Sequence, residues 1–197
     1  MKTIGLTGGI ACGKSTVAAL LRARGLPVLD ADQVSRAVVA PGEPALEEIV
    51  ARFGPAILTA DGSLDRGALG QRVVADPAAK ADLEAITHPR IRERVAAWMV
   101  AQAEAGAPAA AVEAALLVET GGYRFYEALV VVSCAPAVQR ARLMARNQLD
   151  AATTQRWLDA QLPLAEKERL ATVVLRNDGD EAALQAAVEA AWAQIVG

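Results

Sequence analysis

Apolar residues fall along this chain in two rhythms. Short β-branched or unbroken apolar runs at residues 3–7, 27–29, 109–113, 128–134 and 171–175 read as strands, and "ALVVVSC" at 128–134 reads as one buried on both faces. Between them, apolar positions recur at helical spacing. These are Val17, Leu20 and Leu21, then residues 46–53, 69–74 and 91–99, a stretch from about Val138, and residues 184–195. Strands alternating with helices predict an α/β fold with a mostly parallel, five-stranded sheet covered on both faces. One gap breaks the alternation. About 75 residues separate "DAD" at 30–32 from the strand beginning at Ala109, where a crossover needs only a dozen or more, so the spacing predicts a helical insertion.

The loop after the first strand carries the chemistry. Residues 8–15, "GGIACGKS", match the phosphate-binding pattern G-x-x-x-x-G-K-S in the strand, loop, helix context it requires. Gly8, Gly9 and Gly13 let successive N–H groups of Gly9, Ile10, Ala11 and Cys12 approach anionic oxygens, and the loop opens into a helix N-terminus that favours the same charge. Lys14 is expected to reach the β- and γ-phosphates of ATP and the Ser15 hydroxyl to ligate Mg²⁺, with Thr16 next along the helix. Ligands of parallel sheets gather at the carboxyl ends of the strands, so Asp32, the 113–119 segment and the loop at Asn177 join this loop along one rim.

A phosphate loop does not say what is done with the nucleotide. The Asp-x-x-Gly and Asn-Lys-x-Asp segments of a guanine-nucleotide switch are missing, and "NQLD" at 147–150 lacks the lysine. A small-molecule kinase needs a carboxylate for the acceptor hydroxyl and arginines over the phosphates. Asp30 and Asp32, two apart in extended chain, would share a face. Asp32 is the candidate to orient the hydroxyl, or else the N-cap of the following helix. Arg140, Arg142 and Arg146 lie in "QRARLMARN", the start of a polar segment that reads as a lid. His88 precedes Pro89, which suits a first helical position and gives His88 a capping or packing reading beside ligand contact. Glu119 reads as a Mg²⁺-water or substrate ligand or as a solvated residue. Cys12, near a helix N-terminus, is expected to have a lowered pKa and to be oxidisable, or else to fill the loop.

Net charge is −3, so no overall basic balance recruits nucleic acid, and a small anionic ligand better explains the local arginines. Two cysteines and the single His88 cannot make a structural zinc site. Gly8, Gly9 and Lys14 interrupt the first apolar stretch too early for a secretory signal, and no apolar run spans a bilayer. A cytoplasmic protein, not membrane-bound and monomeric, is expected.

In this order, "IGLTGGIACGKST", "LDAD", "HPRIR", "LLVE", "LVVVSCA" followed by "QRARLMAR", Gln161 and "RNDGD" make the chain resemble the bacterial dephospho-coenzyme A kinases along nearly its full length. That family is nucleoside monophosphate kinase-like. The resemblance implies a three-layer P-loop kinase with a nucleotide core at 1–32, 108–137 and 170–197, a helical substrate domain at 33–107 and a lid at 138–169. It implies phosphoryl transfer from ATP to the ribose 3′-hydroxyl of dephospho-coenzyme A. Asp32 then takes the catalytic carboxylate role, Lys14 and its loop bind ATP, Arg140 is the lid arginine, and Asn177 falls near the adenine. His88, Leu117 and Glu119 fall in substrate-side motifs. The sequence departs from the usual pattern at Ala11, Cys12, Glu113 and Ala115, and Ala11 fits if its φ is negative. A kinase of another nucleoside or nucleotide and a regulatory nucleotide switch are the alternative readings.

Overall fold

β1 (Lys2–Gly8) is the middle strand of a five-stranded sheet ordered β2 (Val28–Asp30), β3 (Ala109–Glu113), β1, β4 (Ala128–Ser133), β5 (Val173–Arg176), in which every neighbouring pair is parallel. In this computed structural model the backbone of residues 1–197 and every side chain except that of Ala75 are described. β3 and β4 are buried at every position, as unbroken apolar runs require of strands covered on both faces. Register places Glu113 at the end of β3 beside Leu6, and Gly8 beside Val132 of β4, so the chain leaves β1 between two strand ends.

The chain divides into two compact units, one of Met1–Asp30 with Ala101–Gly197 and the other Ala31–Val100. In the first, α1 (Lys14–Ala23) packs Val17, Ala18 and Leu21 into a core with Ile4, Leu6, Val130, Val132 and Leu175. α9 (Glu181–Val196) closes that core through Leu184, Val188 and Ile195, its N-terminus capped by the Asp180 carboxylate accepting from the Ala183 N–H. Between β4 and β5 run α6 (Pro136–Asn147), α7 (Ala151–Asp159) and α8 (Leu164–Leu170). α6 begins two residues earlier than its apolar pattern predicts because Pro136 takes a first-turn position.

The second unit is helical: α2 (Ala31–Ala37), α3 (Pro44–Phe53), α4 (Arg66–Ala75) and most of α5 (Pro77–Glu104). Ala45, Leu46, Ile49 and Phe53 of α3 are buried. Ion pairs from Arg52 to Asp82, Arg90 to Glu48 and Arg94 to Glu43 tie α3 to α5. Two sequence expectations fail here. Pro89 does not start a helix but lies within α5, twelve residues past its first, so His88 caps nothing. Pro89 has no N–H to give the Ala85 carbonyl; nearby, the Thr87 hydroxyl donates to the Leu83 carbonyl at 2.8 Å and the Arg90 guanidinium to the Ile86 carbonyl at 2.6 Å. Asp32 is likewise neither an N-cap nor on the extended face of Asp30. α2 begins at Ala31, which puts Asp32 in its first turn. Among the described residues no helix is long and apolar enough to cross a membrane.

Candidate active site

The phosphate loop is shaped by tying its carbonyls back into the protein. The Gly9 carbonyl accepts the Cys12 N–H at 3.1 Å, the Ile10 carbonyl accepts Gln139 Nε2 at 3.0 Å, and the Cys12 carbonyl accepts Asn177 Nδ2 at 2.9 Å. A trans peptide plane points its N–H opposite to its C=O, so each tie turns the next N–H, at Ala11 and Gly13, to the other side. Against expectation, the N–H groups of Gly9, Ile10 and Cys12 are taken up within the protein, donating to the Val132 carbonyl, Gln161 Oε1 and the Gly9 carbonyl, whereas no protein acceptor meets the N–H of Ala11, Gly13 or Lys14 among the described residues. These donors and the start of α1 form an anion-binding nest.

Two glycines are demanded by geometry. Gly13 has φ 94°, and a Cβ there would lie 2.3 Å from Asn177 Nδ2; a Cβ on Gly8 would lie 2.5 Å from the Val132 carbonyl oxygen. Ala11 has φ 60°, against the negative φ expected of it, and alanine occupies the left-handed region at a cost. Of the two readings of Cys12, the structure fits the loop filler and not the lowered pKa. It is fully buried with its Sγ 3.1 Å from that of Cys134, and hydrogen bonding to that neighbour together with burial pushes its thiol up, not down.

Lys14 Nζ lies 2.7 Å from Glu113 Oε1, and the Ser15 hydroxyl donates to the same oxygen at 3.2 Å. Arg22 Nη2 stands 3.7 Å from Glu113 Oε2. Glu113 is 3 % exposed, so this carboxylate at the end of β3 is held wholly among cations and a hydroxyl. The sequence places Glu113 on the rim with the 113–119 segment and marks it as a departure from a family pattern, but gives it no role. The available signal was an acidic residue ending an otherwise apolar strand beside the phosphate loop.

The remaining candidates separate. Asn177 is buried beneath Gly13, its backbone carbonyl accepting Arg142 Nη1 at 2.6 Å. Arg142 also donates to the Gly179 carbonyl at 2.8 Å, so it braces the loop after β5. Arg140 is exposed on α6 and hydrogen-bonds Gln155 of α7; Arg146 donates to Asn147. Leu117 is buried, within 3.4 Å of where a Gly5 Cβ would stand. Glu119 is not a solvated loop residue: its Oε1 pairs with Lys167 Nζ at 2.6 Å and accepts the Leu162 N–H at 3.2 Å. In the helical unit, His88 lines a cavity of about 330 Å³ with Val39, Leu69, Val73 and Ile91, and with Arg66 and Glu84 as its charged members.

Comparison with known proteins agrees with this architecture. A family model described as dephospho-CoA kinase matches residues 2–183. A dephospho-CoA kinase of Anaeromyxobacter dehalogenans is 52 % identical over 184 residues, covering 93 % of this chain and 87 % of the relative. The dephospho-CoA kinase structure from Campylobacter jejuni has a TM-score of 0.76 at 27 % identity, covering 100 % of this chain and 98 % of the other. A Thermus thermophilus crystal structure reaches 0.83 at 36 % identity with the same coverage. With the phosphate loop, the parallel sheet and a match over most of the chain in agreement, this chain belongs to the dephospho-CoA kinase family.

Proposed function

We propose that this protein transfers the γ-phosphoryl group of ATP to the ribose 3′-hydroxyl of dephospho-coenzyme A, giving coenzyme A and ADP, the last step of coenzyme A synthesis. The observation that carries the reading is the convergence of Lys14, Ser15 and the Glu113 carboxylate beside a loop in which the N–H groups of Ala11, Gly13 and Lys14 meet no protein acceptor among the described residues. Phosphoryl transfer passes through a loose transition state, so the protein's work is to position and to neutralise charge. The N–H groups of Ala11, Gly13 and Lys14 and the Lys14 ammonium do this for the transferring phosphate, with Gly8 and Gly9 permitting the approach and Thr16 continuing the helix end. Ser15 Oγ and Glu113 supply hard oxygens of the kind Mg²⁺ takes, one or two from protein and the rest from phosphate and water. Bound there, Mg²⁺ would neutralise charge on the β- and γ-oxygens.

Asp32 orients the acceptor hydroxyl and receives its proton. It stands in the first turn of α2. Arg140, exposed and held only by a side chain of the next helix, is the arginine free to change partner for a phosphate. Asn177 serves the nucleotide by fixing Cys12 and the loop. The helical unit takes the acceptor, and the mostly apolar cavity at His88 suits an extended organic arm. Leu117 and Glu119 act from the buried side, holding the segment after β3.

Incubation of the protein with ATP, Mg²⁺ and dephospho-coenzyme A, followed by mass spectrometry, tests this. One phosphate gained at the ribose 3′ position is expected, and Lys14→Ala should lose most of that transfer. Phosphate appearing only on adenosine or AMP in parallel reactions would keep the kinase and remove the substrate; no transfer at all would remove both.

A further inference from the structure

Lys167 is among the largest fully buried side chains of the molecule, at 0 % exposure, and nothing in the phosphate chemistry above uses it. Burying an ammonium is costly, and an apolar side chain of its length would fill the same space at less cost. Its contacts lead toward the phosphate loop. Nζ lies 2.6 Å from Glu119 Oε1 and 3.5 Å from the Ala115 carbonyl, which also accepts the hydroxyl of Thr7, the residue before Gly8. The same Glu119 oxygen accepts the Leu162 N–H at 3.2 Å, which fixes the backbone between α7 and α8. The residue before Leu162 is Gln161, whose Oε1 accepts the Ile10 N–H at 2.9 Å. Gln139 holds the Ile10 carbonyl at 3.0 Å, so both peptide planes flanking Ile10 are pinned by carboxamides from the 136–164 segment.

We propose that Lys167 is a positioning residue for nucleotide binding: it anchors Glu119, Glu119 sets the backbone at Leu162, and Gln161 thereby fixes the tip of the phosphate loop at Ile10. The ionic pair supplies direction, because Glu119 Oε1 is shared between one cation and one N–H while Oε2 is buried without a hydrogen-bond partner. That carboxylate has one strongly favoured orientation, and the orientation sets where Gln161 stands. The inference rests on the reading of this loop as an ATP site.

The test measures Mg²⁺-ATP affinity by titration calorimetry, together with melting temperature. Lys167→Met alone would strand the Glu119 charge and risk unfolding, so the informative variant is Glu119→Leu with Lys167→Met, which removes both charges. It should melt within a few degrees of the wild-type temperature, the relief of two buried charges being set against a Leu162 N–H left without its acceptor, yet bind ATP about fivefold more weakly, the size of one net hydrogen bond. Gln161→Leu should weaken binding by a similar factor. All three substitutions together should also weaken it about fivefold, because the same link is already broken. A product of the two factors, about twenty-five-fold, would show independent effects and overturn the proposal. So would unchanged affinity in the charge-free pair, which would leave Lys167 a stability residue. Wild-type protein that binds no ATP would overturn the ATP-site reading itself, and the proposal with it.

Discussion

Ala11 holds a left-handed φ of 60° in the phosphate loop. For a residue with a Cβ this conformation costs about 1–2 kcal/mol. Glycine there would remove the cost but give back about 0.4–1 kcal/mol through the freer unfolded chain. The difference favours glycine, so Ala11→Gly should raise the melting temperature by roughly 1–4 °C at the ~2–4 °C per kcal/mol expected for a chain of this size. Calorimetry without nucleotide checks this, and a lower melting temperature would mean the alanine methyl contributes packing that outweighs its strain. Much of this loop is legible in sequence, since Gly8, Gly13, Lys14 and Ser15 are tied to backbone shape and charge by a fixed spacing. Ala11 is not, because alanine carries no mark of its φ. Lys167 is also hidden: a lysine in "AEKERL" reads as solvated, and its partner Glu119 lies far away along the chain.

Among the elements, strands announce themselves best, because a strand buried on both faces must be apolar throughout, as in β3 and β4. Their order in the sheet is not written in any one of them; it follows from how successive crossovers pack. α5 is the instructive failure. Proline is welcome in a first turn, and that preference suggested a helix start at Pro89, yet tertiary packing carries one 28-residue helix straight through it. An interior proline costs about 3 kcal/mol, through the hydrogen bond it cannot give the Ala85 carbonyl and the clash of its ring with that group. Pro89→Ala should therefore stabilise the protein by up to about 3 kcal/mol, seen as a higher urea midpoint with an unchanged slope. A lower midpoint would mean that the neighbouring side chains are fitted to the proline ring.

At the scale of the molecule, the phosphate loop, Lys14, Ser15 and Glu113 all belong to the unit built on the sheet, while Asp32 and the cavity at His88 belong to the helical unit. Nucleotide binding and acceptor chemistry should then respond to different substitutions. ATP at about 100 times its Kd adds about 2.7 kcal/mol of stability, or roughly 5–10 °C in melting temperature. Asp32→Asn removes no group that meets the phosphates in this reading, so it should keep that shift. Without ligand its melting temperature should fall by at least about 1 °C, since a carboxylate in the first turn of α2 contributes about 0.3–1 kcal/mol through the helix dipole. Turnover should fall by ~10²-fold or more, because an amide cannot take the acceptor proton. Melting curves with and without ATP, run beside the coenzyme A assay on the same preparation, separate the cases. Full turnover per folded molecule in Asp32→Asn would reduce Asp32 to a helix-end residue and send the search for the acceptor's base elsewhere in the helical unit.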